Sequence, residues 1–238
     1  MKKLFTFFFF ILITFLNGKA QDSIPAFDIG TKSMRFPHPY QLWKVQTGLG
    51  FSMVRLPRDW VETALQAPLV NLHLTFGMPL GFSLEGDVTT LIVSNQVMLG
   101  PRWNFLYRFF SFNLGYDVAY SIGTLNQAGF HNTGMMVSSY PNLSIGFKTK
   151  ELAFTLKGEC VILNWGTMKT GENEVSHSSN YFDGVTGAIY LEQRIFRKKV
   201  FVIGFKDSYV KFYWPAWMVF TTFNRYYHIP ELYFNWVL

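Results

Sequence analysis

The sequence predicts an all-β fold, a transmembrane antiparallel up-and-down β-barrel of about ten strands. Three observations carry that expectation. Apolar and polar residues alternate with period two through segment after segment, which puts successive side chains on opposite faces of a strand. Aromatic residues make up 19% of the 238-residue chain and charged residues only 15%, against about 25% charged in soluble domains. Beyond the N-terminus no apolar run approaches the ~20 residues of a membrane helix. The connections also alternate, short turns on one side and mostly long loops on the other, with both ends of the strand series on the short side.

Residues 1–20 read as a cleavable signal peptide. Lys2 and Lys3 precede the 13-residue apolar core Leu4–Leu16, and Gly18-Lys19-Ala20 places small residues where a signal peptidase reads, before Gln21. The expected location is therefore the cell outer membrane. The net charge of +6 falls to +3 without Lys2, Lys3 and Lys19. The remaining basic residues are scattered, which argues against nucleic acid as a partner. The single cysteine, Cys160, can make no internal disulfide and reads as a small apolar residue of a strand. Residues 21–42 contain Pro25, Pro37 and Pro39. Proline removes ladder donors, so this stretch reads as a periplasmic N-terminal strap, with His38 exposed. The barrel is expected over residues 43–238.

Trp43–Val54 is the first strand, with Gly48 and Gly50 allowing a bend. Asp59 and Glu62 have capping-box spacing and predict a short helix over Asp59–Ala67 in the first outward loop. Pro68–Phe76 alternates, with Asn71, His73 and Thr75 on its polar face. Leu80–Val93 sets Ser83, Glu85, Asp87 and Thr89 opposite Leu80, Phe82 and Leu84. Gln96–Tyr107 sets Arg102 and Asn104 opposite Leu99, Trp103 and Phe105. Phe110–Ile122 alternates most regularly, with Asp117 on its polar face. A loop over 123–134 leads to Met135–Lys148. Leu152–Trp165 carries Lys157 and Glu159 on its polar face, and the polar segment 166–180 is a second loop. Tyr181–Phe196 carries Glu192 and Arg194. Val200–Trp214 slips in period near Lys206-Asp207-Ser208, which suggests a bulge. A shift of a few residues in these boundaries would make eight or twelve strands.

The last strand, in Tyr226–Leu238, places Leu232, Phe234, Trp236 and Leu238 on one face and Tyr233, Asn235 and Val237 on the other. An alternating C-terminal strand, rich in aromatics and ending on an apolar residue, resembles the assembly signal of outer-membrane β-barrels, although that family usually ends on Phe where Leu238 stands here. The resemblance implies the barrel assembly machinery as a partner, and with nine strands before it the last strand closes on Trp43–Val54. A soluble periplasmic sandwich or lipocalin-like barrel is the alternative, and it would point the apolar faces inward.

His73, Glu85, Asp87, Arg102, Asp117, Lys157, Glu159, Glu192 and Arg194 are expected to form a polar network in the lumen. Buried charges there must pair, and a barrel this small is filled by its own side chains, which excludes a wide porin. His73 with Glu85 and Ser83 could form a triad-like cluster. The segment His177-Ser178-Ser179-Asn180 resembles the His-x-Ser-Asn signature of the PagL family of outer-membrane lipid A deacylases. That resemblance implies a base at His177, a nucleophile at Ser179 and an acid at Glu192, although about 40 Å of continuous strand would part Ser179 from Glu192. Glu172 or Glu174 could take the place of the acid. No cofactor or metal site is indicated. The expected role is structural, binding or accessory, with outer-membrane lipid, lipopolysaccharide and other envelope proteins as partners. A lipid A deacylase-like esterase is the alternative.

Overall fold

The computed structural model describes residues 29, 32–59, 66–91, 93–127, 130–195, 199–217 and 225–238. The expected signal peptide, the start of the expected strap and most of the helix expected over Asp59–Ala67 lie outside them. Ten strands form one closed antiparallel barrel in which each strand pairs with its sequence neighbours and β1 with β10. They are β1 Val45–Arg55, β2 Gln66–Gly77, β3 Phe82–Leu91, β4 Ser94–Tyr107, β5 Phe110–Gln127, β6 Phe130–Lys148, β7 Leu152–Thr170, β8 Asn173–Ile195, β9 Lys199–Val210 and β10 Tyr227–Val237. A 3-10 turn at Pro79–Gly81 starts β3 two residues later than the alternation suggests, because Leu80 and Gly81 take positive φ. A four-residue helix, α1 (Trp214–Trp217), follows β9 and replaces the expected end of that strand.

The alternation sorts as its period requires. Leu99, Leu114, Val118, Leu143, Ile145 and Leu156 are exposed on the outside, while Asn71, Asn104, Asn113, Ser121, Ser144 and Thr186 are buried inside. Trp43, Tyr107, Phe109, Phe110 and Trp236 stand exposed around the short-turn end, as an interfacial girdle does. A soluble barrel has the opposite arrangement, so the lipocalin-like alternative is not followed. Among the described residues no helix is long and apolar enough to cross a membrane, and the strands are the elements with spanning length.

Two expected loops are strand instead. β5 and β6 stay in register from Phe110↔Phe147 to Gln127↔Phe130. β7 and β8 continue to Thr170↔Asn173. Once a hairpin is aligned, ladder hydrogen bonds continue regardless of side-chain polarity until a two-residue turn closes it. Gly171 supplies the positive φ for the second of these turns. β8, at 23 residues, exceeds the ~9–11 residues of a spanning strand. The sheet β5–β8 therefore stands well beyond the rim on the side opposite the short turns.

The bulge expected in β9 is absent, since its register with β8 and β10 is unbroken. The pattern slips there because Asp207 faces outward and pairs with His228 at 2.9 Å. Register shifts fall instead between Val137 and Ser138, Val161 and Ile162, and Met168 and Lys169.

The closing strand behaves as its sequence requires. β10 pairs with β1 from Gly48↔Val237 to Val54↔Glu231. Leu232, Trp236 and Leu238 are exposed on the outside and Phe234 is half-buried there. Glu231, Tyr233, Asn235 and Val237 are buried inside. Phe51 of β1 packs against Phe234 at 5.1 Å and Trp236 at 6.1 Å, which ties the seam on its outer face.

Candidate functional site

The lumen is filled in three layers. At the short-turn end lies an apolar layer that the strap itself supplies. Ile29, Met34 and Phe36 are fully buried against Ala153, Ala188, Tyr190, Val200, Val202, Tyr233 and Val237. The strap therefore turns into the barrel rather than lying outside it. Proline excluded it from the ladder but not from the interior. His38 is buried as well, 4% exposed, with its Nδ1 2.9 Å from the Phe36 carbonyl oxygen and its ring on Tyr40. The expectation that His38 is exposed is thus corrected. A Cβ at Gly48 would strike the Met34 sulfur, and one at Gly146 would meet the Phe36 ring at 2.6 Å, so these two glycines open the wall for the strap.

Glu192 holds this segment by its backbone. One carboxylate oxygen accepts the N–H groups of Met34 (2.9 Å) and Arg35 (2.8 Å), and the other accepts that of Phe36 (3.0 Å). Three donors that no ladder could satisfy are thus paired inside the barrel.

The middle layer is charged. Arg35 reaches from the strap to Asp87 at 3.0 Å, and the Asp87 carboxylate also meets His73 Nδ1 at 2.7 Å. His73 Nε2 lies 3.8 Å from Glu85, which meets Arg102 at 2.8 Å. Arg102 then pairs with Asp117 at 2.8 Å and donates to Asn142 at 3.0 Å. Lys157 lies 4.0 Å from Asp117 and pairs closely with Glu159. Each carboxylate in this series has a basic group or an imidazole beside it, as burial of this many charges demands. Of the residues expected in this network, Arg194 stands apart, 3.8 Å from Glu151 at the short-turn rim. Glu192 serves the strap instead. Ser83 is not beside His73 in a triad, because its hydroxyl accepts from Asn104 at 2.9 Å while Thr75 contacts the imidazole at 3.2 Å. Asn142 joins the network from the polar face that alternation gives its strand, and Arg35, from the strap, is the member that alternation did not reveal.

Arg102→Met should lower unfolding free energy by about 3–5 kcal/mol, because Glu85 and Asp117 would keep their buried charges without the guanidinium. Arg102→Met with Asp117→Leu should recover part of the loss. Urea titration of the refolded barrel, followed by tryptophan fluorescence, measures both, and a single variant within about 1 kcal/mol of the parent would count against the network.

The third layer is apolar again. Val54, Leu56, Leu69, Val161, Val210, Tyr213, Tyr227 and Ile229 pack together, with Leu91 and Tyr140 against them. The β9–β10 connection crosses above it. The Pro215 carbonyl accepts from the Ser94 hydroxyl at 3.4 Å, and β4 lies five strands from β9, halfway round the barrel. Arg225 ties this connection to the β1–β2 loop through Asp59 and donates to the Tyr227 hydroxyl at 2.7 Å. The Tyr227 hydroxyl, with Asp59 beyond it, holds the Arg225 guanidinium above its ordinary pKa.

His177 and Ser179 lie on the projecting part of β8, His177 54% exposed and Ser179 exposed. Glu192 is 0% exposed inside the barrel, so it cannot orient His177, and the catalytic assignment of Glu192 is corrected. Ser179 and Glu192 lie on one strand that never reverses between them. Glu174 contacts His177 Nδ1 at 3.3 Å instead.

No family model and no curated protein matches this chain. Among solved structures, Neisserial surface protein A is similar at 10% identity and TM-score 0.35, over 82% of this chain and 94% of that one. The translocator domain of the autotransporter NalP from Neisseria meningitidis is similar at 7% identity and TM-score 0.42, over 81% and 86%. Ail, the attachment invasion locus protein of Yersinia pestis, is similar at 7% identity and TM-score 0.29, over 83% and 98%. At these values the likenesses carry no argument about activity, and the functional reading rests on this chain's own residues.

Proposed function

We propose that the chain is an exported, integral outer-membrane barrel that does not conduct and that serves as a binding or accessory element of the envelope. The filled lumen carries this reading. A charged layer whose members pair with one another lies between two clusters of buried apolar side chains. A barrel that passes nothing through its interior acts through its outside. Here the β5–β8 sheet provides that outside, with polar hairpins that extend past the apolar belt. Its partners are outer-leaflet lipid and lipopolysaccharide, other envelope proteins, and the assembly machinery that inserts it.

Two measurements test the reading. The purified, refolded protein in planar bilayers should give no conductance steps above the bare membrane. On intact cells, a Glu-specific protease should cut at Glu172 and Glu174, which lie exposed at and beside the β7–β8 turn. Discrete channel openings would remove the non-conducting role. Protection of both glutamates on cells, with cleavage after lysis, would remove the surface display.

A further inference from the structure

The projecting sheet carries a cavity of about 300 Å³ on its outward face, lined by β6, β7 and β8. Its walls are set by strand register. Met135, Thr167 and His177 form one row across the three strands, and Thr133, Lys169 and Glu174 form the next. Trp165 lies below them, between Val137 and Ser179.

The height of this cavity is fixed by β7. Phe154 and Trp165 both face outward and are exposed. Eleven residues on a strand tilted by about 40° rise roughly 28 Å, close to the ~25 Å of a barrel's apolar band. Phe154 therefore marks one interface and Trp165 the other, and Thr167 and Lys169 sit where outer-leaflet headgroups lie. The chemistry of the walls is polar and incomplete. Thr167 is only 9% exposed, yet its hydroxyl has no hydrogen-bond partner, and a buried unpaired hydroxyl is a cost that a ligand can relieve. Glu174, directly opposite Lys169, turns to His177 instead, and no ion pair engages Lys169 among the described residues.

From this we infer that the cavity is a site for the phosphorylated sugar headgroup of an outer-leaflet glycolipid. The Trp165 ring offers a flat face to sugar C–H groups. Thr167 and the Glu174–His177 pair supply donors and acceptors to sugar hydroxyls. Lys169 is the cation for a phosphate. The acyl chains would lie below, along the exposed belt. His177 and Ser179 then belong to a lipid-binding surface and need no catalytic partner.

The inference rests on the membrane placement proposed above, and its test separates the two. The mature chain, folded in detergent micelles, is titrated with purified lipid A, and the bound lipid is read by native mass spectrometry. Heat-modifiable gel mobility of the same samples reports separately that the barrel is intact. The parent should retain lipid A at least about tenfold more tightly than phosphatidylglycerol, which has a phosphate but no sugar. Lys169→Ala and Thr167→Val should each weaken retention, Lys169→Ala by about tenfold, with gel mobility unchanged. Retention of lipid A at parental strength by either variant, or equal retention of phosphatidylglycerol by the parent, overturns the site. Failure of the parent to show heat-modifiable mobility would instead overturn the barrel placement itself.

Discussion

Removing Leu232–Leu238 should leave no folded protein. Six of the seven positions at which β10 pairs with β1, from Leu232 to Val237, lie in that segment. Their loss gives β1 and β9 free edges inside the apolar belt. In lipid each unpaired N–H or C=O costs several kcal/mol because no water replaces the lost partner. Several such groups exceed the roughly 5–15 kcal/mol by which domains of this size are stable. The same deletion strips the lumen of Tyr233 and Asn235. The Tyr233 hydroxyl accepts from Arg35 at 2.7 Å and from Asn235 at 2.7 Å, so the strap loses an anchor when the seam opens. Gel mobility with and without heating, on the outer-membrane fraction, reads the outcome. A heat-modifiable band from the truncated chain would show that closure does not depend on this seam.

What was legible in the residues divides by the distance over which the cause acts. Strand identity and facing are local properties. Phe112, Leu114 and Tyr116 alternating with Asn113, Gly115 and Asp117 specify a wall with lipid on one side and a packed interior on the other, without knowledge of any neighbour. For this reason the inward charges were found from alternation alone. The outer halves of β5–β8 are not found this way, because their outward face carries polar residues such as Lys169, Glu174 and His177 in place of the apolar belt, and the alternation that marks a spanning strand disappears. Only the two-residue turn at Gly171-Glu172 hinted at a hairpin. The inward turn of the strap is not legible locally, because its contacts are distant in sequence, with Arg35 and Tyr233 separated by 198 positions. A clue was present in the charges. The expected lumen set holds five carboxylates, Glu85, Asp87, Asp117, Glu159 and Glu192, against three cations, Arg102, Lys157 and Arg194. A closed interior does not tolerate that imbalance. Arg35 answers Asp87, and three backbone donors answer Glu192.

Glu192→Ala should therefore release the strap while leaving the barrel closed. The substitution orphans three buried backbone N–H groups at about 1–3 kcal/mol each, more than Met34, Phe36 and the Arg35–Asp87 pair can be expected to offset once the segment can reach water. Arg35, buried in the parent beneath Tyr190 and Tyr233, should then become a trypsin site, read by N-terminal sequencing of a product that begins at Phe36. Glu192→Gln should fall between the two, because one amide oxygen still accepts while the amide nitrogen faces a donor. Release should not create a channel. The outer apolar layer of Val54, Leu69, Val161, Val210, Tyr213 and Ile229 is built from the wall strands and the β9–β10 connection, not from the strap. It should remain dry and impassable in planar bilayers. Parental resistance at Arg35 would show that the carboxylate does not hold the strap. Conductance in the released variant would show that the strap is the plug and the outer layer is not a barrier.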